Sequence, residues 1–333
     1  MNSEFYQIFR DYQEISIRYD ACHRAIWCYY NPAPRPCFSM TVLREALEIQ
    51  HSIINYFKHR PEKSEVPIRY LIQASQVPGV FNLGGDLGLF IKLIAERDHN
   101  KLLEYAKGCV DICYLNAVNL HLPITTISLV EGAALGGGFE SALAGNILIA
   151  TRNAEMGFPE IRFNLFPGMG AYSLLARTMG ITVAETMITS GKIYSAQELH
   201  DLGVVRVLAE GGKGREAVET FMKQHSRVYN GMQAIQSARQ RYHPIAYEEL
   251  MDITKIWVDA ALRLEPHDVR MMERIVRTQE QKFSKAKQRS VPPLLRTKQD
   301  RRFVSVKTAF PLVDWSGEKV LFDRRRNVDR RLT

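Results

Sequence analysis

Three observations predict an α/β fold. Strand-like runs alternate with helically spaced apolar runs from Glu14 to Ala209. The runs Ile68–Gln73, Ile124–Val130 and Ile147–Thr151 are dominated by apolar residues instead of alternating, which suits largely buried strands. Glycine-rich stretches follow two of these runs, at Val77–Leu87 and Gly132–Gly138. The 333 residues fit about two domains of roughly 150 residues, or one large α/β domain with additions.

The elements follow in order. Glu14–Tyr19 and Ala25–Tyr30 read as short strands rich in Ile, Tyr and Trp. Three prolines in Asn31–Cys37 demand a loop. A helix is predicted from about Met40 to Lys58, because Leu43, Ala46, Leu47, Ile53, Ile54 and Phe57 share helical spacing. A polar loop, Pro61–Glu65, leads to strand Ile68–Gln73. One helical region covers about Leu89–Leu120. Strand Ile124–Val130 runs into Glu131–Gly138, a short helix begins at Phe139, and strand Ile147–Thr151 follows. From about Ala246 the pattern is all helical, with Pro266 separating two helices. Phe310–Phe322 suits a small hairpin around Trp315-Ser-Gly317. The expected organisation is a core over 1–245, a helical part over 246–284 and a basic extension over 285–333.

Charge is concentrated in that extension. Gln281–Thr333 holds 15 Lys and Arg against 5 Asp and Glu, whereas the rest of the chain holds 29 against 31. An argument from basic charge to a polyanionic partner therefore applies only to the tail. The tail has no recognisable nucleic-acid module and few aromatics among its arginines, which disfavours nucleic acid. Composition excludes collagen-like, disordered and disulfide-scaffold classes. The five cysteines (Cys22, Cys28, Cys37, Cys109 and Cys113) are odd in number and include no C-x-x-C pair, so they read as reduced thiols of a cytoplasmic protein. The N-terminal segment has no signal-peptide pattern, and Ile124–Ala150 is too interrupted by Glu131, Glu140 and glycines to span a membrane.

Three local motifs could carry chemistry. Gly136-Gly-Gly138 lies between a strand and a helix, where free N–H groups and the helix dipole favour negative charge. Glu140 stands in the first turn of that helix. Glu160, in Gly157-Phe-Pro-Glu160, precedes a second glycine turn, Phe166–Gly170. Phe81-Asn-Leu-Gly-Gly-Asp-Leu87 offers another exposed backbone N–H after a buried strand. Alone, each motif is an ordinary turn or surface glutamate. Gly211-Gly-Lys-Gly214 is not a P-loop, no metal-ligand spacing of His is present, and no G-x-S-x-G elbow occurs. No cofactor is implied.

Taken together the motifs resemble the crotonase (enoyl-CoA hydratase/isomerase) superfamily, over about residues 12–284. The resemblance rests on Phe81–Leu87 (FNLGGDL), Ala134–Glu140 (ALGGGFE), Pro159-Glu160, Leu165–Ser173 (LFPGMGAYS) and Ile256–Ala260 (IWVDA). Within the superfamily it is greatest to diffusible signal factor synthases, which make cis-2-unsaturated fatty acid signals. The resemblance implies a spiral of ββα units followed by a helical C-terminal part. It implies an oxyanion hole from the Gly85 and Gly137 amides and an acid/base pair of Glu140 and Glu160, with the two roles left unassigned. Two neighbouring carboxyls in a partly apolar site push their pKa values apart, which keeps one protonated near neutrality.

The implied reaction is dehydration of a 3-hydroxyacyl thioester on an acyl carrier protein, followed by hydrolysis of the thioester. The alternative is an enoyl-CoA hydratase of fatty-acid oxidation. Asn82 and Leu83 stand where many coenzyme A-binding relatives have small residues, which suits the carrier-protein donor. Leu135, Gly136, Met169, Trp257 and Ile275 are expected to bind the acyl chain, with plain core packing as the alternative for Trp257 and Ile275. The resemblance further implies a homotrimer or hexamer, and a sensor-kinase receiver domain as a protein partner.

Overall fold

In a computed structural model the described residues are 9–59, 68–290, 312–313 and 319–320, with side chains through 281. The chain divides into two units, Met1–Lys285 and Ala286–Thr333. In the second, Leu312–Val313 pairs antiparallel with Lys319–Val320. The expected loop Pro61–Glu65, the turn at Trp315–Gly317 and nearly all of the basic extension lie outside the described residues.

The first unit begins with β1 (Ile15–Asp20) and β2 (Ala25–Tyr30), then α1 (Met40–Lys58), capped by the Ser39 hydroxyl accepting from Val42 N–H at 3.0 Å. β3 (Tyr70–Ser75) and β4 (Val80–Asn82) lead to α2 (Leu87–Ala95) and α3 (His99–Ala117). β5 (Thr125–Val130) and β6 (Ala133–Leu135) lead to α4 (Gly137–Ala144). β7 (Ile147–Thr151) and β8 (Glu155–Gly157) lead to a 3₁₀ turn, Pro159–Phe163. Next come α5 (Ala171–Met179), α6 (Ile181–Ser190), β9 (Ile193–Ser195), α7 (Ala196–Asp201) and β10 (Val207–Ala209). The remainder is helical: α8 (Gly214–Ser226), α9 (Tyr229–Tyr242), α10 (Tyr247–Ala261) and α11 (Pro266–Ser290).

The strands form two sheets. The larger has the order β1-β2-β3-β5-β7-β10 and the smaller β4-β6-β8-β9. Both are parallel except at β1/β2 and β8/β9. Three times in succession the chain places one strand in the large sheet and the next in the small one (β3/β4, β5/β6 and β7/β8) before a helix or helical turn. This is the α/β spiral of ββα units. Fully buried Ile26, Ile53, Phe81, Phe139, Met156 and Phe158 fill the core between the layers.

Two expectations change. The region Leu89–Leu120 is two helices, broken where Arg97 takes φ 53 and Asp98 caps α3 through Lys101 N–H. The all-helical stretch starts at Gly214 and not near Ala246. The helix α9 buries only Gln236, so it lacks the apolar stripe that would announce it. Among the described residues no helix is long and apolar enough to cross a membrane.

Candidate active site

The parallel strands β4, β6 and β8 are neighbours in the small sheet, paired at Asn82 with Ala134 and at Leu135 with Gly157. Their C-terminal ends therefore lie side by side. Each runs into one of the motif turns: Leu83–Asp86, Gly136–Glu140 and Phe158–Glu160. One cavity of ≈ 340 Å³ opens there. It is lined by Gly85, Leu135, Gly136, Gly137, Glu140, Glu160, Met169, Trp257 and Ile275, all nine of the residues that the sequence singled out.

The two amides come close together. A Cβ built on Gly137 would lie 3.4 Å from the Gly85 nitrogen. Among the described residues neither amide donates to a backbone acceptor, so both are free to grip a ligand oxygen. The turn bearing Gly85 is clamped from outside. Leu83 N–H donates to Pro36 O at 2.7 Å, and Phe38 N–H donates to Gly84 O at 2.8 Å. The Tyr105 hydroxyl accepts from Asp86 N–H at 2.9 Å and donates to Phe38 O. Arg35 pairs with Asp86 at 2.5 Å, and that carboxylate also caps α2.

The glutamates sit in different surroundings. Glu140 lies on α4 and is 1% exposed. Its Oε1 accepts from Met169 N–H at 2.7 Å and Ala171 N–H at 2.9 Å. Burial pushes its carboxyl up to about 7, and those amides hold the shift back. Glu160 lies on the 3₁₀ turn and is only half-buried, yet its Oε2 is buried with no hydrogen-bond partner among the described residues. Burial first, and the charge of Glu140 second, push its carboxyl up to about 8. The two titrate as a pair. The ionised form is better served at Glu140, so the single proton of the neutral-pH pair resides on Glu160. Gly136 makes this arrangement possible. It takes φ 54, and a Cβ there would lie 2.1 Å from Glu160 Oε1.

The rest of the cavity is mainly apolar, with Leu87, Phe90, Phe163, Leu165 and Met271 among its walls. The C-terminal helices close it. Trp257 of α10 meets the Phe90 ring edge-on at 5.1 Å, and Thr254 Oγ1 donates to Gly168 O at 2.7 Å. α11 contributes Met271 and Ile275. Near its start the buried Asp268 accepts from Asn164 Nδ2 at 3.3 Å, tying α11 to the end of the Glu160 turn.

Four wall residues with polar side chains escaped the sequence reading. Tyr105 and Cys109 stand one turn apart on α3, and burial pushes the Cys109 thiol up, leaving it a neutral wall. Arg162, bonded to Gly191 O at 2.8 Å, and Gln279 supply further polar lining. No local pattern marks them, because their role comes from contacts distant in sequence.

Comparison with known proteins places the chain in a family. Residues 63–255 match the family model for enoyl-CoA hydratase/isomerase. The mitochondrial methylglutaconyl-CoA hydratase of Mus musculus is 33% identical over 156 residues, 46% of this chain and 48% of that protein. The probable mitochondrial enoyl-CoA hydratase 2 of Arabidopsis thaliana is 32% identical over 182 residues, 55% of this chain and 56% of that protein. The chain thus spans about half the length of these curated relatives. Among solved structures, an enoyl-CoA hydratase from Bacillus halodurans superposes with TM-score 0.66 at 20% identity, covering 78% of this chain and 99% of that one. Pseudomonas aeruginosa DspI superposes with TM-score 0.61 at 22% identity, covering 75% and 96%. At such identities the superpositions speak for the fold, and the match over most of the core speaks for more: the chain belongs to the enoyl-CoA hydratase/isomerase family.

Proposed function

We propose that the protein adds water to, or removes it from, the C2–C3 bond of a fatty acyl thioester. The observation that carries this is the pair of carboxyls, Glu140 buried and Glu160 with one buried oxygen, facing one cavity with two free amides. The amides of Gly85 and Gly137 hold the thioester carbonyl and stabilise the enolate, where removing one donor typically costs about 3 kcal/mol. Of the pair, the ionised Glu140 takes a proton and the protonated Glu160 gives one. In hydration the base draws on water and the acid serves C2. Dehydration retraces that path and starts with the proton on the other carboxyl. Burial raises both carboxyls toward neutrality, so either can hold the proton and both directions are open.

Within this chemistry we favour dehydration of a 3-hydroxyacyl group on an acyl carrier protein to the cis-2-enoyl form, then release of the free acid. The LFPGMGAYS and IWVDA motifs, with both glutamates present, support it, as do Asn82 and Leu83 in place of small residues. The hydrolysis reuses the same amides for the tetrahedral intermediate and one glutamate to activate water. The hydration-ready proton placement favours the second reading, hydration of an enoyl-CoA. Purified protein is offered crotonyl-CoA in one reaction and a medium-chain 3-hydroxyacyl carrier protein in the other. Free unsaturated acid from the carrier protein, with crotonyl-CoA untouched, supports the first reading; rapid loss of crotonyl-CoA supports the second. Turnover of neither removes both. The homo-oligomer and the receiver-domain partner belong to the same proposal, and sedimentation of the protein alone and with a purified receiver domain tests them.

A further inference from the structure

The strand β3 carries one amide among its apolar residues, Gln73, which is buried. Its Nε2 donates to Ser128 Oγ and to Ser141 O, each at 2.7 Å. Its Oε1 accepts from Ser141 Oγ at 3.1 Å, from the Tyr30 hydroxyl at 3.2 Å and, more weakly, from Asn116 Nδ2 at 3.5 Å. The amide is fully occupied, and it joins β5, α4, β2 and α3 at one point.

Two of these bonds go to the residue after Glu140. α4 is a helix of 8 residues. At its end Gly145 N–H turns to Ala142 O at 3.3 Å, so Ser141 O loses the donor that a longer helix would give it. Gln73 supplies the replacement. Gly145 also rests on Ser128, which the same glutamine holds: a Cβ there would lie 2.3 Å from Ser128 Oγ. The second half of α4 is thus pinned by Gln73 at Ser141, and its first turn presents the Gly137 amide and the Glu140 carboxylate to the cavity. A helix this short, about 12 Å long, moves as a rod. Displacement at the pinned half reaches the reacting groups, where errors of about 1 Å cost activity heavily.

We propose that Gln73 is a positioning residue: it fixes α4 along its axis and so sets where Gly137 and Glu140 meet the thioester. The inference rests on the roles proposed above for those two residues. A purely structural role is the competing account, and the same buried network holds its control. Gln50 is also a buried amide, donating to Ile112 O at 3.0 Å and Asn116 Oδ1 at 3.1 Å, but it makes no hydrogen bond to α4.

The test compares Gln73→Met with Gln50→Met in the full chain, on whichever thioester the wild type turns over, together with amide hydrogen exchange. Gln73→Met is expected to lower kcat about tenfold with KM within about twofold, and to speed exchange across residues 137–145. Gln50→Met is expected to leave kcat within about twofold and exchange in that segment no faster, with any effect confined to Tm. Wild-type kcat and exchange in Gln73→Met, or equal effects from the two variants, overturn the inference. Should Gln73→Met not fold, Ser141→Ala removes one bond to Oε1; kcat about threefold lower at unchanged KM is expected, and unchanged kcat overturns it. Glu140→Gln separates the two levels. If it is fully active, the assignment of Glu140 fails, while the exchange measurement still judges the pinning of α4.

Discussion

The turn at Gly136–Glu140 and the turn at Pro159–Asn164 each deliver one carboxyl to the cavity, and they are built differently. The first is a helix start sunk in the core, with its glutamate 1% exposed and gripped by two amides. The second is a 3₁₀ turn at the rim, whose glutamate has a buried oxygen with no hydrogen-bond partner among the described residues. The difference decides where the proton goes. Amides favour charge at Glu140, and the lack of a partner together with the neighbouring charge favours neutrality at Glu160. In the reaction proposed above, asymmetry of support, and not of residue type, separates acid from base.

The largest expected effect tests whether both turns are needed. Glu140→Gln and Glu160→Gln should each lower kcat by about 100-fold or more, with circular dichroism unchanged. Both bonds to Glu140 fall on Oε1, so the amide oxygen introduced by Glu140→Gln can keep them. Full activity in either variant would remove that carboxyl from the mechanism. Gly136→Ala comes next. It places a methyl group against Glu160 Oε1 at a backbone φ of 54, and should cost about 1–3 kcal/mol of stability and most of the activity. A wild-type melting curve would show that the two turns are not in such close contact.

Two smaller effects concern pH. Activity should peak between about pH 7 and 8, where the pair holds one proton, and fall on either side; a flat profile from pH 5 to 9 counts against a shared proton. Stability carries its own sign. Folding raises the Glu160 pKa, so the native state holds the proton more tightly. Stability is complete below the ordinary carboxyl range and is lost as pH rises through about 8. Glu160→Gln should therefore match wild type at pH 4 and exceed it at pH 9, by on the order of 2 kcal/mol at this rim position. A variant less stable than wild type at pH 9 would contradict the burial of that carboxyl.

Much of this was legible in the sequence because it is local. The strands Ala25–Tyr30 and Ile147–Thr151 and the helix Met40–Lys58 carry their own periodicity, and the three motif turns carry their own glycines. The break between α2 and α3 was not legible, since neither Gly nor Pro marks Arg97. Tyr105, Arg162 and Gln279 reach the cavity through packing that no spacing encodes. Gln73 did leave a trace, as one amide in an apolar run, but its meaning depends on Ser128 and Ser141, more than fifty residues away. The acyl pocket was reached only through likeness to the family, because Trp257 and Ile275 carry no mark that separates a wall from a core.

The bond between Asn164 and Asp268 has a practical side. Any attempt to widen the pocket by trimming or swapping α11 would loosen the footing of Glu160 as well as remove Met271 and Ile275. In the proposed reaction, preference for chain length and placement of the proton donor are mechanically joined through this bond. Engineering one will have to be done with the other in view, and natural variants with an altered start of α11 are expected to carry compensating changes in the Glu160 turn.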